Sequence, residues 1–306
     1  MDSAAVLHQL LDALWTRYKS RVDYACQYQS MVEARGGKVQ NDHIAFRTLN
    51  TQTGQQPAGV EALARIFTSL GYRQMEQYIF TDKKLASWHY EHPANPHNPK
   101  IFISQLEVEK LSPATAALIK ETVANIPDLL SAQDLKLLAD LKSGKNIGDT
   151  EGNALVGHLA DFFSRPWKPP ERATVEQVNK ESQYAAWMLL HGNSVNHFTA
   201  YINYQQVKEW PDLEATVNAL RQAGLPMKSE FEGERGSKLR QSSTQAWDED
   251  CDVLESNGKP GKLRWSYAYY ELAERGMVPG PHGTPVLFQG FLGEQATNLF
   301  EMTKRG

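Results

Sequence analysis

His43, His197 and Glu271 are the residues of this chain whose types and settings could do chemistry together. His43 stands in NDHIAFRTLN, residues 41–50, where the alternation of an extended strand turns His43, Ala45 and Arg47 to one face and Ile44 and Phe46 to the other. His197 stands in a similar apolar stretch, VNHFTAYIN. Glu271 stands in WSYAYYELAERG, where Trp265, Tyr267, Tyr269 and Glu271 share one face of the expected strand. An ionised carboxylate among aromatic rings costs several kcal/mol when unpaired, and a divalent metal held with two neutral imidazoles offsets that cost. Two histidines and one carboxylate leave up to three positions open on an octahedral ion. That is the arrangement of non-haem Fe(II) oxygenases, with substrate and O2 at the open positions. Arg47, on the His43 face, is within reach of a carboxylate bound to such a metal, and its planar fork can grip one bidentately.

Each of these residues also has a plainer reading. A lone histidine on a strand is usually a satisfied structural residue, and an arginine can pair with a structural acid. The stripe of Trp265, Tyr267 and Tyr269 is more often core than a functional wall. What favours the metal is a repeat. NDHIAFRTLN leads to the helical pattern VEALARIFTSLGY, with Val60, Leu63, Phe67 and Leu70 on one stripe and Gly71 as its cap. VNHFTAYIN leads likewise to PDLEATVNALRQAGLP, with Leu213, Val217 and Leu220 on one face and Gly224 at its end. The interval from His43 to Gly71 differs by one residue from that between His197 and Gly224, so the two histidines hold equivalent places.

The elements that must position them follow from the same pass. Each helix is followed by β-type sequence: YIFTDKKLASWHYEH and KIFISQLEV in the first half, then STQAWDEDCDVLES and KLRWSYAYYELAE, with a tight turn at Asn257-Gly258. Residues 1–37 read as an N-terminal helix with Leu7, Leu10, Leu11 and Leu14 at helical spacing. Residues 38–110 and 193–306 read as two βαβββ units, and 111–192 as a mostly helical insertion. In that insertion Ser112 is an N-cap with Pro113 at the first helical position, and RPWKPPERA interrupts the helices with three prolines. The interval from His43 to His197 exceeds that from His197 to Glu271 by about the length of the insertion. The expected fold is therefore α+β, two units paired in a half-barrel around one metal, within one compact domain.

Composition removes other classes. With 306 residues and 41% hydrophobic content the chain can bury a sizeable core, and 32 basic against 36 acidic residues give a net charge of -4 that attracts neither nucleic acid nor anionic membranes. No apolar run approaches a bilayer span, and MDSAAVLHQLLDALW carries Asp2 where a signal peptide would be basic, so a cytoplasmic place is expected. Cys26 and Cys251 are too few for a disulfide framework.

DHIAFRT, the RPWKPP turn, YAAWMLLHGNSVNHFT, LRQSS and YYELAERG together resemble the 2-oxoadipate dioxygenase/decarboxylase family, also called hydroxyglutarate synthase, of the vicinal-oxygen-chelate superfamily. The resemblance runs from about residue 40 to the end, although the ending GTPVLFQGFLGEQATNLFEMT follows longer members only loosely. It implies that His43, His197 and Glu271 hold Fe(II) and that Arg47 is the catalytic arginine gripping the carboxylate of a 2-oxo acid. The implied reaction takes 2-oxoadipate and O2 to 2-hydroxyglutarate and CO2, a lysine-degradation step.

In KLRQSSTQA, alternation sets Gln241 and Ser243 on one face and Arg240 and Ser242 on the other. One of these faces should meet the far end of the substrate; Gln241 is favoured and Arg240 is kept as a clamp for a distal carboxylate. His89 sits on an expected strand and lines the cavity in this reading, whereas the cluster of His89, His92, His97 and Glu91 reads as a hairpin rim. EGERGSK reads as a mobile loop, and PGPHGTP, with His282, as a connection that could act as a lid. The rival enzyme is a glyoxalase-type lyase or isomerase using Zn or Ni, which needs a fourth protein ligand such as Gln105 or Glu107. The rival outside enzymes is a sensor that binds a metal or a small acid without turnover.

Overall fold

The computed structural model describes residues 1–124 and 126–292. The N-terminal segment is two helices where the sequence suggests one: α1 (Ser3–Arg21) and α2 (Asp23–Glu33), separated by Val22 in extended backbone. Asp2 caps α1 by accepting from the Ala5 N–H, and Val6, Leu7, Leu10, Leu14 and Tyr18 form its buried stripe.

The first unit follows as β1 (Asn41–Leu49), α3 (Val60–Ser69), β2 (Arg73–Phe80), β3 (Leu85–Glu91) and β4 (Lys100–Leu106). Five helices come next: α4 (Pro113–Ala124), α5 (Ala132–Lys142), α6 (Asp149–Phe162), α7 (Arg172–Asn179) and α8 (Gln183–His191). The α8 helix is buried on every side, and the chain leaves it through Gly192 at φ 59°. Only glycine fits there, since a Cβ would lie 2.5 Å from the Arg165 Cα. The second unit is β5 (Val195–Tyr201), α9 (Leu213–Gln222), β6 (Leu239–Ser243), β7 (Trp247–Leu254), β8 (Pro260–Ala268) and β9 (Glu271–Arg275). A small hairpin, β10 (Met277–Pro279) and β11 (Pro285–Leu287), comes after it.

Seven strands form one curled half-barrel sheet in the order β2-β3-β4-β1-β5-β9-β6. The units meet where β1 runs antiparallel to β5, with His43 opposite Thr199 and Ala45 opposite His197. That pairing is symmetric under exchange of the two units, because each histidine faces the residue two places beyond the other.

The second unit departs from the expected βαβββ order. β7 and β8 form a separate two-stranded sheet, so only β5, β9 and β6 extend the half-barrel. The reason is in the sequence of β7: Cys251 and Val253 are buried while Asp250 and Asp252 are exposed, so this strand has one wet face and suits a surface hairpin. WSYAYYELAERG is accordingly not one strand. It breaks at Tyr269 and Tyr270, where the Tyr270 N–H donates to Thr244 Oγ1 and the chain crosses from the hairpin into the sheet. Trp265 and Tyr267 are core, as the plainer reading has it. Residues 293–306, assigned by sequence to the second unit, and the side chain of His282, offered as a lid, lie outside the described residues. No helix among the described residues is long and apolar enough to cross a membrane.

Candidate metal centre

The adjacent strands β1, β5 and β9 bring His43, His197 and Glu271 together, each at most 3% exposed. One donor atom from each lies within 4.8 Å of the others. His43 Nε2 is 3.0 Å and His197 Nε2 3.6 Å from Glu271 Oε2. β5 pairs with β9 in parallel, with Thr199 opposite Glu271, and the Thr199 hydroxyl donates to Glu271 Oε2 at 2.6 Å.

Both imidazoles are oriented from behind. His43 Nδ1 donates to Asp42 Oδ2 at 2.8 Å, and His197 Nδ1 donates to Asn196 Oδ1 at 3.0 Å, which leaves each Nε2 directed at the carboxylate. Asp42 is itself gripped by Arg275, whose Nε and Nη2 lie 2.5 and 2.8 Å from its two oxygens. Burial pushes the Asp42 carboxyl up, but the charge and hydrogen bonds of Arg275, together with those of His43, outweigh it and hold the group far below the carboxylate range. Burial also pulls His43 down, and the hydrogen bonds and charges of Asp42 and Glu271 together more than reverse this, so it is raised. His197 is held well below its ordinary value by burial, then by His43 and Arg47, and stays neutral.

The donor set fits a divalent metal. His197 Nε2 and Glu271 Oε1 are buried without a hydrogen-bond partner, a costly state for two polar atoms of one compact donor group. A cation between two imidazoles and a carboxylate satisfies both.

The same symmetry tests for a fourth ligand. β4 lies parallel to β1 as β9 does to β5, and Phe102 stands opposite Ala45 as Glu271 stands opposite Thr199. The first unit therefore carries phenylalanine where a second carboxylate would stand. Gln105 and Glu107 are engaged elsewhere: Gln105 accepts from the Val60 N–H and donates to Glu107, which also receives Asn50.

Arg47 is buried on the same face, with its guanidinium 4.9 Å from the ring centres of both Tyr184 and Trp187 on α8. Arg47, Asn196, His197 and Tyr269 line a cavity of about 20 Å³ together with Ala45, Phe46, Phe102 and Ser104. The Tyr269 ring stacks on His197 with centroids 4.6 Å apart, and its hydroxyl and the Asn196 Nδ2 are buried without partners.

Gln241 and Ser243 are buried on β6, with Ser243 directly opposite Glu271 and an unpartnered Gln241 Nε2. Arg240 is turned to the other face, where Glu214 holds it at 2.5 and 2.8 Å and Glu274 at 3.2 Å, so it is withdrawn as a clamp for substrate. His89 is buried beside the site rather than in the cavity wall: its Nδ1 is 3.0 Å from the Tyr78 hydroxyl and its ring packs on Phe291. His92 accepts from the Asn95 N–H, and His97 packs on Tyr204, both outside the metal site.

A second trio, His191, Glu249 and Cys251, is also compact. Arg21 already occupies Glu249 with two nitrogens, and burial pushes the Cys251 thiol up to about 12, so this trio is a structural cluster.

The sequence reading misses Asp42, Asn196, Thr199, Arg275 and Phe291. A signal existed for two of them: Asp42 and Asn196 each precede a histidine of the repeat, as a D-H and an N-H pair.

The model of the family described as 2-oxoadipate dioxygenase/decarboxylase matches residues 6–303. The chain belongs to this family. Among curated members it is 27% identical over 258 residues to the chloroplastic 2-oxoadipate dioxygenase/decarboxylase of Arabidopsis thaliana, covering 80% of this chain and 61% of that protein. The chain thus spans under two thirds of the length of that relative. Among solved structures, a glyoxalase-superfamily protein of Ralstonia eutropha JMP134 superposes with a TM-score of 0.85 at 25% identity, covering 95% of this chain and 87% of the other. Hydroxyglutarate synthase of Oryza sativa, crystallised with 2-oxoadipate, superposes with a TM-score of 0.73 at 24% identity over 98% of this chain and 93% of the other, and shares the fold.

Proposed function

We propose that the chain is an Fe(II)-dependent dioxygenase that converts 2-oxoadipate and O2 to 2-hydroxyglutarate and CO2. The observation that carries this is the open three-donor site, His43, His197 and Glu271, with Arg47 on the same face and phenylalanine where a fourth ligand would stand. The names of the curated relatives and of the rice structure support the choice of acid.

Bound Fe(II) would supply the electrons that activate O2 and a Lewis-acid seat for the 2-oxo and carboxylate oxygens. The residues of the chain do the rest. Glu271 and two neutral imidazoles leave a divalent ion with one net positive charge, and Arg47 adds another, so the pocket is matched to a doubly negative acid. Arg47 pairs with the carboxylate next to the oxo group, and the aromatic cage of Tyr184 and Trp187 fixes the direction of its fork. The Tyr269 hydroxyl and Asn196 Nδ2 offer hydrogen bonds to oxygen atoms of the acid, and Gln241 offers one toward its far end. Burial of all three ligand residues keeps bulk water from the reaction. The assignment extends to lysine degradation in the cytoplasm, where Cys26 and Cys251 remain thiols.

The test is O2 uptake by anaerobically prepared, Fe(II)-loaded protein on addition of 2-oxoadipate, with products identified by mass spectrometry. In the balanced reaction the departing CO2 takes the old carboxyl group, so both atoms of labelled O2 should appear in 2-hydroxyglutarate. Bound iron with no uptake on this or related 2-oxo acids would sink the proposal.

A further inference from the structure

The cavity beside the three donors, about 20 Å³, has room for a water molecule and not for a six-carbon acid. What covers the site on the His43 side is the segment after β11. The Phe291 ring lies 5.0 Å from the His43 ring and 4.9 Å from that of Phe102, centre to centre. This cover is a thin piece of structure: among the described residues β10 and β11 pair only with each other, and Met277 and Val286 are exposed.

The attachment of the cover to the body converges on Arg275. Its Nη1 donates to the carbonyls of Phe288 and Gly290 at 3.0 and 2.9 Å, while its Nε and Nη2 hold Asp42. Asp42 in turn fixes His43 through Nδ1. The side chain of Arg275 is fully buried, and one planar fork therefore grips the cover with one nitrogen and the partner of a metal ligand with the other two. Lys100 to Gln289 Oε1 and the Phe291 N–H to Tyr78 are further ties, and neither reaches a metal ligand.

We propose that Arg275 is a positioning residue that couples the cover, residues 288–291, to the metal ligand His43. Holding His43 in its ligating orientation favours the closed cover, and opening the cover for substrate loosens the support of His43. The coupling is reciprocal, so a metal bound at His43 should tighten a segment it does not touch. This rests on the reading of His43, His197 and Glu271 as a metal site, and not on the identity of the acid.

The experiment uses Co(II), whose visible absorption reports binding, together with hydrogen exchange of the peptide covering 286–291. In the wild type, Co(II) should slow exchange of this peptide several-fold. Arg275→Lys keeps the charge and loses the fork: it should bind Co(II) about 10- to 100-fold more weakly and, once saturated, show no metal-dependent slowing. Phe291→Ala leaves the ion pair intact and guards against a misfolded Arg275 variant. It should exchange faster throughout yet keep the metal-dependent slowing. The coupling is overturned if Arg275→Lys retains both wild-type affinity and slowing, or if Phe291→Ala loses the slowing, which would route the connection through the ring. Wild-type protein that binds no Co(II) would instead remove the metal site itself.

Discussion

Replacing Glu271 by glutamine is the sharpest single perturbation of this site, because it keeps the shape and removes one charge. Oε2 of Glu271 accepts from Thr199 and faces both histidines, while Oε1 has no partner. Losing one member of a buried charge pair costs about 3–5 kcal/mol, which weakens metal binding by about 150- to 5,000-fold. At a metal concentration of about 100 times the wild-type Kd, binding stabilises the wild type by about 2.7 kcal/mol, and the variant by about 0.4 kcal/mol or less. Unfolding entropy of about 2.1 cal/mol/K per residue over 306 residues is about 0.6 kcal/mol/K, so the wild-type Tm should rise by about 4 °C and that of Glu271→Gln by under about 1 °C. Scanning calorimetry of chelator-treated protein with and without Co(II) reads this directly. Equal gains in the two proteins would take Glu271 out of the ligand set.

Three further outcomes are expected. Arg47→Lys loses a bidentate contact worth about 1.5–3 kcal/mol, so KM for the 2-oxo acid should rise about 10- to 150-fold in O2-uptake kinetics, and an unchanged KM would remove Arg47 from substrate binding. Glu249 is pushed up by burial and pulled down further by His191 and Arg21, to about 2 from an ordinary 4.5. Its stabilisation, about 3 kcal/mol, is therefore present above pH 4.5 and lost as pH falls toward 2, and Glu249→Gln should flatten that part of the acid limb in urea titrations; a parallel limb would contradict the ion pair. Gly192→Ala forces a Cβ onto the Arg165 Cα at a positive φ and should cost about 2–4 kcal/mol in urea unfolding, whereas a loss below about 0.5 kcal/mol would show that the turn relaxes freely.

Much of the site was legible because short periods carry it. Alternation put His43 and Arg47 on one face, and the repeat of strand, helix and glycine made His197 the counterpart of His43; both are local properties of the chain. The same alternation failed in WSYAYYELAERG, because it assumes one unbroken strand and the chain changes sheets at Tyr269 and Tyr270. It could separate Arg240 from Gln241 and could not say which face holds the site, since that depends on Glu214 arriving from α9.

By itself, then, the sequence determined the candidate donor types, the strands of the two histidines and the repeat of strand, helix and glycine that relates them, since these follow from residue spacing along an extended or helical backbone. Only the tertiary structure decided that Phe102 takes the place of a fourth ligand, that Arg275 reaches Asp42, and that residues 288–291 cover His43. These depend on strand register and on contacts between residues far apart in the chain. Packing the whole sheet fixes such contacts, and no local period records them.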